Sequence, residues 1–224
     1  MNKPPVSKPL IIDYYTDILC VWAWIAQRRL DELNRQLGEK IDLHCYYVDI
    51  FGDVNAKMNA QWHEKGGYSG FAEHVQHCAA TFEDAVINPG IWTEVRPGTS
   101  ANAHLVLKAI EIGYGKRQSM AMALKFRSAF FADAVDIGNL EVLNELATAN
   151  GLDTRIINTS IQNGSAIAAL MSDYQRASQQ NIKGSPSYVI NGGRQTLYGN
   201  VGYRVLRANI DELLKQPENE ASWC

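Results

Sequence analysis

The residue best placed to do chemistry is Cys20, in the stretch DYYTDILCVWAW, where a strand-like segment gives way to a helix-like one. A thiolate at the N-terminus of a helix lies near unpaired backbone N–H groups and the positive end of the helix dipole, and both favour the charged form. We therefore expect the pKa of Cys20 to fall below the value of roughly 8.5 for a free cysteine. A buried, inert cysteine at an element boundary is the alternative interpretation.

The third residue after Cys20 is Ala23, so the segment Cys20-Val21-Trp22-Ala23 holds a single thiol. A lone thiolate attacks a disulfide and forms a mixed disulfide, but no second thiol in the motif can then release the product. This spacing predicts a monothiol cycle that is completed by a small thiol or by another cysteine of the chain.

The other three cysteines are weaker candidates. Cys45 lies in a strand-like segment and is typical of core, and Cys224 ends a polar tail. Cys78 follows His74 and His77, which suggests metal ligands, but no fourth ligand is in view. A packed or solvated helix face is the favoured interpretation, and we expect no metal site.

The composition is that of an ordinary soluble globular protein. The chain has 224 residues, of which 46% are hydrophobic, and 21 Lys and Arg against 24 Asp and Glu give a net charge of −3. This balance argues against nucleic acid and against an anionic membrane surface as partners. We identify neither a signal peptide nor an apolar run of ~18 residues, so the sequence predicts a cytoplasmic protein, without structural disulfides and without a tightly bound cofactor.

The first third of the chain has the pattern of a strand, a helix and a second strand. PLIIDYYTD is apolar and rich in β-formers, Leu19 to Leu37 has helical apolar spacing that ends at Gly38, and KIDLHCYYVDI alternates in the manner of a strand. Such a crossover unit makes the two strands parallel.

The rest of the chain divides into two patterns. Residues 55–181 have one helical pattern after another, and the segment that follows has a strand, an Asn191-Gly192 turn, a return strand and a final helix. The sequence therefore predicts an α/β fold with two parts: a discontinuous domain of residues 9–54 and 182–217, and an all-helical insertion of residues 55–181.

The chain resembles the DsbA-like branch of the thioredoxin superfamily, which includes kappa-class glutathione transferases and 2-hydroxychromene-2-carboxylate isomerases. Four stretches carry the resemblance over about Leu10 to Lys215: DYYTDILCVWAW, SAFFADAVDIGNLEVLNELATANGLD, GSPSYVING and LYGNVGYRVL. The resemblance implies a thioredoxin fold. Relatives that act as dithiol oxidoreductases have a second cysteine where this chain has Ala23.

The resemblance also implies the rest of a site. Pro186 matches a cis proline that faces the active-site cysteine and directs the backbone of the preceding residue, Ser185, towards a peptide or glutathione. Asn200 and Val201 match a pair before the last helix, where transferases and isomerases have an acid in the second position. Asn200 keeps the capping half of this pair, and a plain helix cap is the alternative. Val201 replaces the residue that would meet the amino group of glutathione.

The sequence thus predicts a thiol-dependent oxidoreductase that uses glutathione or another small thiol as co-substrate, with a disulfide-bearing protein as a further partner. A glutathione-dependent isomerase or transferase and a non-enzymatic binding module are the alternatives. The predicted site consists of Cys20 as catalytic residue and, for substrate or glutathione, Trp22, Ala23, Ser185, Pro186, Asn200 and Val201.

Overall fold

A computed structural model describes residues 8–215. Cys224 and the last two residues of the predicted domain, 216–217, lie outside this range. The strands are β1 (Leu10–Thr16), β2 (Ile41–Tyr47), β3 (Ser187–Ile190) and β4 (Gln195–Tyr198). The helices are α1 (Val21–Leu37), α2 (Val54–Lys57), α3 (Gly67–Ala79), α4 (Ala101–Tyr114), α5 (Lys116–Phe131), α6 (Leu140–Ala149), α7 (Thr154–Gln162), α8 (Ser165–Gln179) and α9 (Tyr203–Lys215).

The four strands form one mixed sheet in the order β2-β1-β3-β4. β1 and β2 are parallel, as the crossover pattern predicts, and β3 runs antiparallel to both β1 and β4. The β3–β4 hairpin turns at Asn191 and Gly192, whose φ angles are both positive, at 52° and 65°. This conformation explains why an Asn-Gly pair stands here.

Alternate residues of β1 point to opposite faces of the sheet and bury two different layers. Ile12 and Tyr14 pack with the apolar stripe of α1 and with Leu206 and Ile210 of α9. On the other face, Tyr15 packs with Val189 and with Ala177 of α8. The sheet therefore has α1 and α9 on one face and α8 on the other. The predicted α/β fold with a helical insertion is confirmed.

The largest apolar cluster belongs to the helical segment and extends to the start of α1. It is centred on buried aromatic residues such as Trp92, Phe126 and Phe130, and it includes Cys20 and Ala23. The N-terminus of α1 is thus buried by elements far along the chain. The exact division at residues 54/55 and 181/182 stays a prediction. In the described part of the chain, no helix is long and apolar enough to cross a membrane.

Candidate active site

The register of the sheet brings Cys20 to Ser185. In the antiparallel pair of β1 and β3, Tyr15 lies opposite Ser187. Continuing the same register by two residues places Asp17 opposite Ser185. The Asp17 N–H accordingly donates to the Ser185 hydroxyl at 2.9 Å. The loop that leads into α1 is therefore joined to the loop that leads into β3.

Cys20 is the N-cap residue of α1 and has extended backbone angles, with φ −80° and ψ 118°. Its side chain is buried, and the thiol donates to the Ser185 carbonyl oxygen at 3.1 Å. The Ser185–Pro186 peptide bond is cis. The structure thus brings Cys20, Ser185 and Pro186 together at one end of the sheet, with Ala23 fully buried one turn into the helix.

Burial raises the pKa of Cys20 above its ordinary value, which contradicts the lowered pKa expected from its position. The Ser185 side chain and the nearby N–H groups of Ala23 and Trp22 act in the opposite direction, and the nearby Asp17 carboxylate adds to the increase. The helix N-terminus favours the thiolate as expected, but removal of the sulfur from water outweighs it. Cys20 is a neutral hydrogen-bond donor at neutral pH.

Asp17 fixes the loop around Cys20, a role that the sequence pattern does not predict. Its carboxylate accepts hydrogen bonds from the N–H of Leu19 at 2.9 Å, the N–H of Phe51 at 2.8 Å and the hydroxyl of Ser100 at 2.9 Å. Burial raises its pKa to about 6 in spite of these bonds. An acidic residue in a short strand-to-helix loop was the available signal, but its partners are distant in sequence.

His104 lies behind this loop in a single tautomer. It is fully buried, and burial lowers its pKa to about 3, so the ring is neutral at pH 7. Its Nε2 accepts from the Ile18 N–H at 3.1 Å, so the proton is on Nδ1, which lies 3.3 Å from the Tyr174 hydroxyl. The 3.8 Å approach of Nε2 to Asp17 is therefore not an ion pair. His104 positions the loop and carries no charge.

Lys57 is a cation coupled to the thiol. Burial lowers its pKa, and negative charge on Asp17 and on Cys20 raises it. Its ammonium lies 4.9 Å from the centroid of the Phe51 ring and donates to the Gln61 amide oxygen at 3.0 Å. Because the coupling is reciprocal, Lys57 stabilises a thiolate at Cys20 when one forms.

The structure assigns Asn200 a different contact from the one expected. The last helix begins only at Tyr203, so the interpretation of Asn200 as its cap is wrong. The side-chain oxygen of Asn200 instead accepts a hydrogen bond from Arg29 of α1. Arg29 is nine residues after Cys20, a helical rise of about 13 Å.

Val201 and Trp22 have apolar surroundings. Val201 packs at the edge of the cluster between the sheet and α9, and its N–H donates to the Gly199 carbonyl at 2.8 Å, so this N–H is not free for an anion. Trp22 is half-buried against the large cluster of the helical segment. Binding roles for these two residues stay predictions.

A cavity of about 740 Å³ opens along the first turns of α1. Trp24, one turn after Cys20, lines it together with Arg28, Arg29, Phe82 and Tyr203. Arg28 forms an ion pair with Asp84, and Arg29 lies 5.8 Å from the centroid of the Phe82 ring. The volume of this cavity lies within the range of small-molecule sites.

A family model for the DSBA-like thioredoxin domain matches residues 11–211. The chain belongs to this family. Members of the DSBA-like family include thiol–disulfide oxidoreductases and isomerases, so membership supports an enzyme at that general level. The resemblance stated from the sequence is confirmed.

One curated relative is the ClpXP adapter protein SpxH of Shouchella clausii. It is 24% identical over 201 residues, which cover 83% of this chain and 59% of the relative. The chain thus spans less than two thirds of the length of this relative.

Three solved structures have the same fold at low sequence identity. A chain from Nitrosomonas europaea that carries the provisional name protein disulfide isomerase has a TM-score of 0.78 and 16% identity, over 92% of this chain and 98% of that one. The cytosolic disulfide reductase DsbM of Pseudomonas aeruginosa, solved with GSH, has a TM-score of 0.70 and 17% identity, over 92% of this chain and 100% of that one. A 2-hydroxychromene-2-carboxylate isomerase has a TM-score of 0.63 and 15% identity, over 91% of this chain and 95% of that one. These likenesses concern the fold.

Proposed function

We propose that this protein is a monothiol oxidoreductase that exchanges glutathione with disulfides through Cys20. The observation that supports this proposal is the position of Cys20, which is the N-cap residue of α1 and whose thiol donates to the Ser185 carbonyl oxygen at 3.1 Å, while Ala23 occupies the place of a second thiol. The resemblance to the family makes this position the catalytic one, and Ala23 leaves it without a second thiol three residues later.

The cycle balances with glutathione as the only co-reactant. The Cys20 thiolate attacks the glutathione sulfur of a glutathionylated thiol, forms a Cys20–glutathione disulfide and releases the substrate as a thiolate. A second glutathione, as thiolate, then attacks the glutathione sulfur of that disulfide. Oxidised glutathione leaves, and Cys20 takes up a proton. Lys57 and the N–H groups at the start of α1 stabilise the thiolate of Cys20 in both steps.

The cavity along α1 supports glutathione as the small thiol. Glutathione carries two carboxylates and one ammonium group, and the cavity offers groups of both signs. Arg28 and Arg29 line it together with the carboxylates of Asp31, Glu32, Glu83 and Asp84, and Arg28 is paired with Asp84. Asn200 orients Arg29 through its side-chain oxygen, which gives this residue a role in binding although it caps no helix. That DsbM was solved with GSH shows that a protein of the same fold is compatible with this ligand.

The test measures the release of glutathione from a glutathionylated peptide, with glutathione, glutathione reductase and NADPH supplied. We expect turnover by the wild type, none by Cys20→Ala, and wild-type turnover by Cys78→Ser. Mass spectrometry of wild type treated with oxidised glutathione should find one adduct, on Cys20. An adduct on another cysteine, or turnover by Cys20→Ala, contradicts the proposal.

The same experiment includes glutathione binding by calorimetry. We expect Arg29→Met to weaken binding by about tenfold, the loss of one charge-assisted hydrogen bond, and the exposed Arg204→Met of α9 to leave it unchanged. Binding without turnover would favour the alternatives. A binding module then becomes the better account, in keeping with the adapter role named for the relative SpxH.

A glutathione-dependent isomerase or transferase is the second candidate, because Cys20 is held protonated. A neutral thiol can donate a hydrogen bond to the thiolate of bound glutathione, which lowers the pKa of glutathione without any disulfide at Cys20. Cys20→Ser separates the two functions. The serine hydroxyl can still donate a hydrogen bond to the glutathione thiolate, so this variant should keep isomerase or transferase activity. Serine cannot form a disulfide, so the variant should lose disulfide exchange.

A further inference from the structure

We propose a second ligand site, for a small carboxylate with an apolar body, in a cavity between α1, β2 and α5 where Arg127 is the anion-binding group. The cavity has a volume of about 460 Å³. Its walls include Leu30 of α1, Leu43 of β2 and Met120 of α5. It adjoins the cavity along α1 and shares Gln27, Asp31 and Leu124 with it, but Cys20 lines neither.

Arg127 is a buried cation without a counter-ion. Its side chain is 2% exposed, and no described carboxylate forms an ion pair with it. The other buried ammonium or guanidinium of the described chain, that of Lys108, is paired with Asp173 and Glu111. Asp17 is coupled to Arg127 electrostatically, but its oxygens are bonded to the loop around Cys20.

The hydrogen bonds of Arg127 are incomplete. Nη2 donates to the Thr16 hydroxyl at 2.7 Å, Nη1 makes a long bond of 3.3 Å to the Gln27 amide oxygen, and Nε has no acceptor. A buried charge in this condition is costly unless an anion completes it. Gln27 lies on the cavity wall, so a carboxylate that enters can take its place on Nη1 and make a stronger, charge-assisted bond.

A second polar group lies on the same wall. The Tyr14 hydroxyl meets no acceptor in good hydrogen-bond geometry. Burial raises its pKa to about 12, and the neighbouring Thr16 hydroxyl lowers it in part, so Tyr14 remains a donor. Lys116 and Arg117 also line the cavity, although Lys116 is paired with Asp42. Asp31 and Asp42 line the cavity as well, and Lys116 offsets Asp42. The buried part of the cavity combines apolar walls with the Arg127 guanidinium and the Tyr14 hydroxyl, which matches an amphipathic monocarboxylate.

The experiment titrates the full chain with octanoate by calorimetry and uses 1-octanol and sulfate as matched probes. Octanol lacks the charge and sulfate lacks the apolar body. We expect one octanoate per chain, with octanol and sulfate each at least about tenfold weaker, since a bond to a charged group is worth that factor or more. The proposal is overturned if octanol or sulfate binds with the same affinity as octanoate. It is also overturned if octanoate gives no heat of binding up to millimolar concentration.

Two variants locate the site. Arg127→Met removes the charge, and Ala121→Trp fills the cavity from an exposed wall position without altering Arg127. We expect each variant to weaken the affinity for octanoate at least about tenfold, and Arg204→Met to leave this affinity unchanged. Ala121→Trp decides the question if Arg127→Met does not fold. Wild-type affinity in a folded variant overturns the proposal. Octanoate affinity should persist in Cys20→Ala, so this test is independent of the proposed glutathione chemistry.

Discussion

The thiol of Cys20 donates a hydrogen bond to the backbone carbonyl of Ser185 at 3.1 Å, across 165 residues of sequence. This bond exists because the antiparallel register of β1 and β3 places the two loops opposite each other. A thiol that donates is protonated, and this agrees with the pKa of Cys20, which burial raises. The resting site therefore holds its sulfur neutral and oriented.

The first prediction concerns the pH dependence of Cys20 alkylation. Since burial raises the pKa of Cys20 above its ordinary value, the rate of modification by iodoacetamide should still increase as the pH rises past roughly 8.5, the pKa of a free cysteine. The measurement is mass spectrometry of the Cys20 peptide at a series of pH values, with Cys20→Ala as the control for assignment. A plateau below pH 8 would show that the helix N-terminus outweighs burial after all.

The second prediction isolates the electrostatic role of Lys57. Replacement by methionine keeps the apolar stem over the Phe51 ring and removes a cation that stabilises the thiolate, so the pKa of Cys20 should rise further. At pH 8.5, alkylation of Cys20 should slow several-fold. Lys65→Met is the matched control, because its ammonium also lies over an aromatic ring, that of Trp62. Equal slowing in both variants would assign the effect to net charge.

The third prediction uses the raised pKa of Asp17. Its folded-state pKa of about 6 lies above the ordinary value of 3.8, so the stability it contributes is fully present below pH 3.8 and is lost as the pH rises through about 6. Asn in its place does not titrate. The unfolding free energy of wild type minus that of Asp17→Asn should therefore be larger at pH 4 than at pH 7.5, by roughly 2 to 3 kcal/mol.

Urea unfolding at the two pH values provides this difference. Asp173, whose pKa is also raised to about 6, is present in both proteins and cancels from the comparison. A difference that is independent of pH would mean that Asp17 is ionised in the folded protein throughout, and that its hydrogen bonds with Leu19, Phe51 and Ser100 outweigh burial.

Local patterns were enough to predict most of the fold. The Asn191-Gly192 pair specifies the hairpin by its own backbone preference, and Gly38 ends α1 with a φ of 48°. What the sequence could not show is burial, which depends on elements far apart in the chain. Helix position alone indicates a lowered pKa for Cys20, but Cys20 belongs to an apolar cluster to which helices from α2 to α8 contribute.

The same limit explains the errors and omissions at the site. The resemblance matches Asn200 to the capping half of a pair before the last helix, with a plain helix cap as the alternative. However, α9 begins three residues later, and the Asn200 side-chain oxygen accepts a hydrogen bond from Arg29. Arg127 was not identified at all, since a helical Arg in sequence is usually exposed. Only the packing of α5 against α1 and β2 shows that its charge is buried, and no described carboxylate forms an ion pair with it.

The last prediction restores the second thiol. Ala23→Cys places a cysteine one turn after Cys20, where residues three apart in a helix face one another at a separation that a disulfide can bridge. Ala23 is fully buried, so the added sulfur should cost about 1 kcal/mol or more in the reduced form. If Cys20 lacks only a resolving partner, the variant should reduce a protein disulfide with dithiothreitol as reductant, and wild type should do so poorly.

Ala23→Ser is the control for the last prediction. It adds a side chain of nearly the same volume but without a thiol, and it should remain inactive. An Ala23→Cys variant that forms the internal disulfide with Cys20, gains no such turnover and also loses glutathione binding would indicate that the site is built for a small substrate, as in the isomerase or transferase candidate.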